Sequence, residues 1–212
     1  NMLGTNPFTF GMPTDEPFPF LLDCATSITQ RGKIELYARM GKDLPAGWVI
    51  DENGISKTDS KEVLKDLIAG RAALTPLGGI GEETAGYKGY GYATVVEILS
   101  SALQQGAYLR MLIGISDGKK VPYSLVHFFI AIDINAFTVP EDFKKTAGNI
   151  LRELRSSRKM PGQERIYTAG EKEYDTWLFR KEKGIPFSDE LLAEFRGLCS
   201  EYGIEKYLDM FR

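Results

Sequence analysis

Gly86–Gly91, G-Y-K-G-Y-G, sets three glycines around a lysine just ahead of an apolar helical pattern at Tyr92–Leu103. Glycine turns free backbone N–H groups, a helix N-terminus carries partial positive charge, and Lys88 adds a cation. That combination suits an anion such as a phosphate. Two familiar phosphate motifs are nevertheless not met. Gly81 and Gly86 have the P-loop spacing, but Tyr87 stands where that loop needs lysine and no hydroxyl follows Lys88. The dinucleotide fingerprint would need the glycine spacing reversed and a strand before it, where this chain has the loop Thr75–Gly86. The same glycines also suit a flexible loop that lets the next helix pack closely, so both readings stand at this level.

A second stretch, L22-D-C-A-T-S-I, lies at a strand-to-helix switch, where α/β proteins often contact ligands. Asp23, Thr26 and Ser27 offer hydrogen-bonding groups for a ligand or, equally, for capping the following helix. Cys24 as a nucleophile would need a base nearby in sequence and has none, so a small buried residue is the better reading. The single histidine, His127, falls inside the most hydrophobic run and reads as a hydrogen-bonded core residue. Arg152, Arg155, Arg158 and Lys159 form a basic run able to meet a phosphate or to serve as a solvated helix face.

The elements that must position these groups follow from pattern. Pro7–Pro13 and Phe18–Asp23 read as two strands joined by a turn. Ile28–Lys42 has a helical period through Ile28, Ile34, Tyr37, Ala38 and Met40, with Ser27 as its expected cap. A short extended piece is expected at Trp48–Ile50, and one or two helical turns at Glu62–Ala69. Tyr92–Leu103 predicts a helix with Val95, Val96, Leu99 and Leu103 on one face. Ser124–Ile134 predicts a strand covered on both faces. Helices are expected at Pro140–Arg155 and, entered through Ser188, at Ile185–Tyr202. Interleaved strands and helices predict an α/β or mixed α+β fold with a helical C-terminal portion.

The bulk composition narrows the function. A net charge of −3, with both signs interspersed, disfavours a general nucleic-acid binder. Two distant cysteines without metal spacing, and no apolar run of about 18 residues, point to a reducing cytoplasmic protein without a membrane span. Asn1 is not an initiator methionine and a β-type run follows almost at once, as expected of a fragment or a processed product.

Several stretches together carry a resemblance. L3-G-T-N-P, F20-L-L-D-C-A-T-S, R31-G-K-I-E-L-Y-A-R, Gly41–Trp48, D51-E-N-G, T75-P-L-G-G, G86-Y-K-G-Y-G-Y, H127-F-F-I-A-I-D and A169-G-E resemble, in order and spacing, the NAD(P)-dependent malate/L-lactate dehydrogenase family. That family includes ureidoglycolate, sulfolactate and diketogulonate oxidoreductases. The resemblance implies a homodimer with a non-Rossmann nicotinamide-binding domain, taken as residues 1–139, and a mainly helical portion at 140–212 that packs with an N-terminal segment. It implies NAD or NADP as cofactor and hydride transfer at C2 of a small 2-oxo or 2-hydroxy acid.

By the same resemblance, Leu22, Asp23, Cys24, Ala25, Thr26, Ser27 and Ile28 line the cofactor, with Tyr87, Lys88, Gly170 and Glu171 completing its cradle. Ala169 replaces the proline frequent in the family, and Cys24 replaces a bulkier residue. The family's acid/base histidine and substrate-binding arginine precede the L-G-T-N-P motif, at which this sequence starts. The expectation is therefore the cofactor-binding two-thirds of the enzyme, with the catalytic residue outside the chain and Asp23 in an orienting role. A non-catalytic nucleotide-binding or dimer-assembly module derived from the family is the alternative.

Overall fold

Two proline-bounded apolar runs build the first element of the computed structural model, which describes residues 2–116 and 118–211. Strands β1 (Phe8–Met12) and β2 (Phe20–Cys24) pair antiparallel, with Phe8 opposite Cys24 and Met12 opposite Phe20. The turn between them closes on Thr14, whose hydroxyl donates to the Phe18 carbonyl and accepts from the Glu16 N–H. Alternation along β2 places Leu21 and Asp23 on its exposed face, with Phe20, Leu22 and Cys24 half-buried opposite.

The core forms around α1 (Arg31–Arg39), α2 (Ser60–Ile68) and an antiparallel pair, β3 (Val49–Asp51) with β4 (Ala72–Leu74). Ile34, Leu44, Val49, Val63 and Ala72 are buried there, flanked by Tyr37, Trp48 and Leu67. Helix α2 starts at Asp59, whose carboxylate accepts from the Lys61 and Glu62 N–H groups. Helix α1 departs from expectation at its entry. It begins after Gln30 without a side-chain cap, while Ser27 is buried and donates to the Thr29 carbonyl. Of its expected apolar face Ile34 is enclosed, whereas Ile28 and Met40 stay exposed.

Gly86–Gly91 is not a loop: it is the opening of helix α3 (Gly86–Ser101), entered through Ala85 in the left-handed conformation. The buried face is only partly the one expected. Gly86, Gly89, Ala93 and Ser101 are buried and Val96 and Leu99 half-buried, whereas Val95 and Leu103 are exposed. The smallest side chains face inward because the helix rests directly on backbone. A Cβ on Gly89 would lie 2.8 Å from Leu77 Cα, and one on Gly86 would lie 3.1 Å from the Gly79 carbonyl carbon.

Beyond α3, a small hairpin pairs β5 (Ile115–Ser116) with β6 (Lys119–Lys120). The strand expected at Ser124–Ile134 does not form. No strand pairs with it among the described residues, the Gln104 side chain donating to the His127 carbonyl at 2.6 Å, and Leu125, Phe129, Ile130 and Ile132 are exposed. An apolar run of this kind calls for cover on both faces, which the described residues do not supply. His127 is accordingly not a core residue: it is exposed and stacks on Phe129 at 6.2 Å.

Helix α4 (Pro140–Ser156) has Pro140 at its start and Glu141 and Asp142 in its first turn, as helix entry favours. Helices α5 (Glu171–Lys183) and α6 (Asp189–Glu201) follow, the latter capped by Ser188 accepting from the Leu191 N–H. The chain divides into two compact units, Asn1–Glu171 and Lys172–Arg212. In the second, Phe187 meets Phe195 edge to face and Cys199 is buried. No helix of the described residues is long and apolar enough to cross a membrane.

Candidate functional site

Strand β2 and its continuation through Ile28 form a spine on which three separate segments meet. The first is the turn before α5: Leu21 N–H donates to the Ala169 carbonyl at 3.2 Å. The second is Thr75–Leu77, running beside Thr26–Ile28. Ile28 N–H donates to the Thr75 carbonyl at 2.9 Å, and Leu77 N–H to the Thr26 carbonyl at 2.8 Å. The third is the opening turn of α3, seated on Leu77 through Gly89. Sequence positions about 20, 75, 88 and 170 are thus tied along one stretch, Leu21–Ile28, all within the first unit.

Three further residues brace this arrangement, and the chemistry-bearing stretches alone did not reveal them. Asn6, at a positive φ of 33°, donates its amide to the Ala93 carbonyl and to Glu97, each at 2.9 Å. It ties the N-terminal strap to α3, and its signal lay in the L-G-T-N-P motif. Thr75 is 1% exposed and donates to the Gly47 carbonyl at 2.6 Å. Leu77 contributes backbone, which side-chain reasoning does not see.

The polar residues of Leu22–Ile28 divide into committed and available groups. The Thr26 hydroxyl is buried and reaches the Thr5 and Asn6 carbonyls at 2.9 and 3.0 Å. Ser27 is spent on Thr29, as described. Their side chains therefore hold the backbone together rather than face solvent. Asp23 is exposed, with Oδ1 accepting from the Thr9 hydroxyl at 2.9 Å. Cys24 and Ala25 are half-buried beside it, and Ile28 is at the surface.

The N-terminus of α3 has a distinctive charge balance. Its cap makes no side-chain hydrogen bond and its first turn holds no acidic residue. It holds Lys88 instead, exposed, with its ammonium 5.9 Å from the Tyr87 ring centre. A cation at the positive end of a helix dipole is unfavourable by itself and becomes favourable when an anion sits between them. No carboxylate forms an ion pair with Lys88 among the described residues.

At the third segment Gly170 has φ +91°, and a Cβ there would lie 2.8 Å from the Pro19 carbonyl oxygen. Only glycine fits so close to β2 in that conformation. Glu171 follows it, 2% exposed, with Arg165 on one carboxylate oxygen and the Thr168 N–H on the other at 3.0 Å. Burial alone would push this carboxyl's pKa up. The Thr168 and Arg165 contacts outweigh it and hold the group below the ordinary glutamate value.

The two arginines of the basic run that lie on α4 are likewise committed. Arg152 pairs with Asp15 through two 3.0 Å bonds, which lower the Asp15 pKa, and Arg155 pairs with Glu16. Of the run singled out in the sequence, these two arginines tie α4 to the β1–β2 turn. No group of three or more His, Cys, Asp or Glu residues able to hold a metal occurs among the described residues.

An exposed carboxylate on β2, a helix N-terminus carrying Lys88 and a glycine turn pressed on the start of the same strand are thus linked through the Leu21–Ile28 spine. Known proteins share this arrangement of chain. The sequence profile of the malate/L-lactate dehydrogenase family matches residues 1–196. The chain is 40% identical over 204 residues to a malate dehydrogenase of Pyrococcus horikoshii, covering 96% of this chain and 54% of that one. It is 27% identical over 204 residues to a malate/(S)-sulfolactate dehydrogenase of Methanothermus fervidus, with 96% and 54% covered. Among solved structures, a malate dehydrogenase from Entamoeba histolytica is 42% identical with a TM-score of 0.88, over 95% of this chain and 56% of that one. The chain spans about half the length of the curated relatives it matches.

Proposed function

The chain belongs to the malate/L-lactate dehydrogenase family, and from that premise we propose that it forms the dinucleotide-binding part of an oxidoreductase acting on small 2-oxo and 2-hydroxy acids. The observation that carries this reading is the linkage of the Ala169–Gly170 turn, the Thr75–Leu77 segment and, through Leu77, the α3 N-terminus along the Leu21–Ile28 stretch. NAD or NADP fits the groups present: a helix N-terminus with Lys88 and no acidic residue in its first turn for the phosphates, and a glycine turn held close against Leu21.

The bound nicotinamide supplies or takes up the hydride at C2 of the acid. This chain's residues bind and orient. The Lys88 ammonium and the positive end of the α3 dipole hold negative charge, the Gly86 and Lys88 N–H groups being bonded to the Gly81 and Ala85 carbonyls. Tyr87 lies beside Lys88 as a flat apolar surface. The exposed Asp23 carboxylate, fixed by Thr9, accepts a hydroxyl hydrogen or orients a neighbouring proton-transferring group. Ala25 and Ile28, past the strand end, present apolar surface, with Leu22 and Cys24 behind Asp23 on the opposite face of β2, while Thr26 and Ser27 keep the stretch in register through their bonds to backbone. Gly170 closes the far side, with Glu171 behind it.

In the assembled protein we place this site in a homodimer in the cytoplasm. Exposed apolar side chains on α3, including Tyr90 and Ile98, support an assembled state. A non-catalytic nucleotide-binding or assembly module is the second reading. It is favoured by the lack of a histidine at the β2 end among the described residues, His127 lying on the exposed 124–134 segment.

Titration of intrinsic and NADH fluorescence tests the binding claim. Lys88→Met is expected to weaken NAD(P)H binding about tenfold, the loss of a charge-assisted hydrogen bond. Unchanged affinity removes Lys88 from the site. The complete natural polypeptide is expected to oxidise NADH or NADPH with at least one member of a 2-oxo acid panel. Binding without turnover across the panel selects the module.

A further inference from the structure

The Glu171 carboxylate is nearly enclosed, yet it is not a spare ligand-binding group. Arg165 takes Oε1. Oε2 accepts from the Thr168 N–H at 3.0 Å and the Thr168 hydroxyl at 3.3 Å, with Arg155 3.7 Å away. Arg155 in turn donates to the Thr168 hydroxyl at 3.1 Å and pairs with Glu16, a residue of the β1–β2 turn. Its guanidinium also lies 5.8 Å from the Phe18 ring centre. One buried carboxylate therefore links α4, the β1–β2 turn and the 165–171 turn.

The backbone held by this link is the part that touches β2. Ala169 and Gly170 sit directly on Pro19–Leu21, through the Leu21 N–H bond and a contact too close for any Cβ. Leu21 and Asp23 share the exposed face of that strand. Moving the turn away from β2 therefore shifts the proposed binding surface beside Leu21 without disturbing the core around Ile34 and Val63, which lies among other elements.

We propose that Glu171 is a positioning residue: clamped by Arg165 and Arg155, it presses the Ala169–Gly170 turn onto β2 and so sets the dinucleotide-binding surface beside Leu21, without contacting the ligand itself. The proposal rests on the reading of Gly170 as part of that surface. It also assigns Arg155 and Thr168 a part in nucleotide affinity, although neither needs to reach the nucleotide.

Glu171→Gln keeps the side chain's size and an acceptor for the Thr168 N–H but removes the charge that gathers the two arginines. Hydrogen exchange at the Leu21 amide reads the clamp directly, and NADH titration reads its consequence. The expected result is an exchange at Leu21 about tenfold faster, with the amides of Val63 and Thr75 unchanged, and an NADH affinity about tenfold weaker. Arg165→Met, which alters the half-exposed partner, is expected to move both readouts in the same direction should Glu171→Gln fail to fold.

Unchanged exchange at Leu21 overturns the proposal. So does faster exchange at Leu21 with undiminished NADH affinity, or a parallel loss of protection at Val63 and Thr75, which marks general destabilisation. A wild-type chain that binds no nicotinamide dinucleotide refutes the function proposed above. In that case the exchange measurement, which needs no cofactor, decides the clamp alone.

Discussion

The seating of α3 on Leu77 yields a test in which strain can be separated from helix propensity. A Cβ at Gly89 would lie 2.8 Å from Leu77 Cα and nearer still to the N and O atoms of that residue. Carbon atoms in favourable contact stand about 3.5–4.0 Å apart, so the helix or the Thr75–Leu77 segment must retreat by about 0.7–1.2 Å. At Gly91, in the same helix, a Cβ meets nothing within 4 Å. Replacing either glycine by alanine gains about 0.5–1 kcal/mol of helix propensity. That gain cancels when the two variants are compared with each other. The remaining difference is the cost of overpacking, about 1–3 kcal/mol against Gly89→Ala.

For a chain of this size that difference corresponds to about 2–12 °C between the two melting temperatures. Thermal unfolding followed by circular dichroism measures it, with Gly91→Ala expected at or above the wild type. The displaced turn carries Lys88, so Gly89→Ala is also expected to weaken NADH binding, whereas Gly91→Ala is not. Equal stability of the two alanine variants would refute the claim that α3 rests on backbone through its glycines.

Two further predictions concern the core and its rim. Ile34→Ala removes a side chain that is fully enclosed in the α1–α2 cluster and is expected to cost about 2–5 kcal/mol in urea unfolding; a cost below about 1 kcal/mol would place Ile34 outside a packed core. Asp66 is held below its ordinary pKa by Lys57 first and by Arg71 second. A depressed carboxyl stabilises the fold above the unfolded-state value near pH 4 and loses that contribution as pH falls through the folded value. Asp66→Asn is therefore expected to be less stable than the wild type at pH 7, the gap closing below about pH 4. A gap that persists at low pH would assign the loss to something other than the charge.

Local chemistry determined much of this protein by itself. The proline-bounded runs around T14-D-E-P are enough to specify a hairpin, because a strand cannot continue through those prolines. Pro140 followed by two acidic residues, and Ser188 followed by two more, specify helix entries for the same local reason. The order of motifs from L-G-T-N-P to A-G-E carried the family, since it records the whole chain rather than any one element.

Other features depended on contacts between residues far apart in sequence. The inward face of α3 was misread in part because an apolar pattern predicts that large side chains turn inward. Here backbone at Leu77 and Gly79 occupies that space at the first turns, so Gly89 and Gly86 face it instead. Ser124–Ile134 has a strand's composition, but a strand also needs a neighbour for its N–H and C=O groups, and composition does not provide one. Thr26 and Ser27 have side chains suited to a ligand contact, and the family resemblance adds Glu171 to the same cradle. Thr5, Thr29, Arg165 and Thr168 take up their polar atoms, and those partners are known only once the chain is folded. Residue type states what a side chain is able to bond, while tertiary structure decides which of those bonds remain for a ligand.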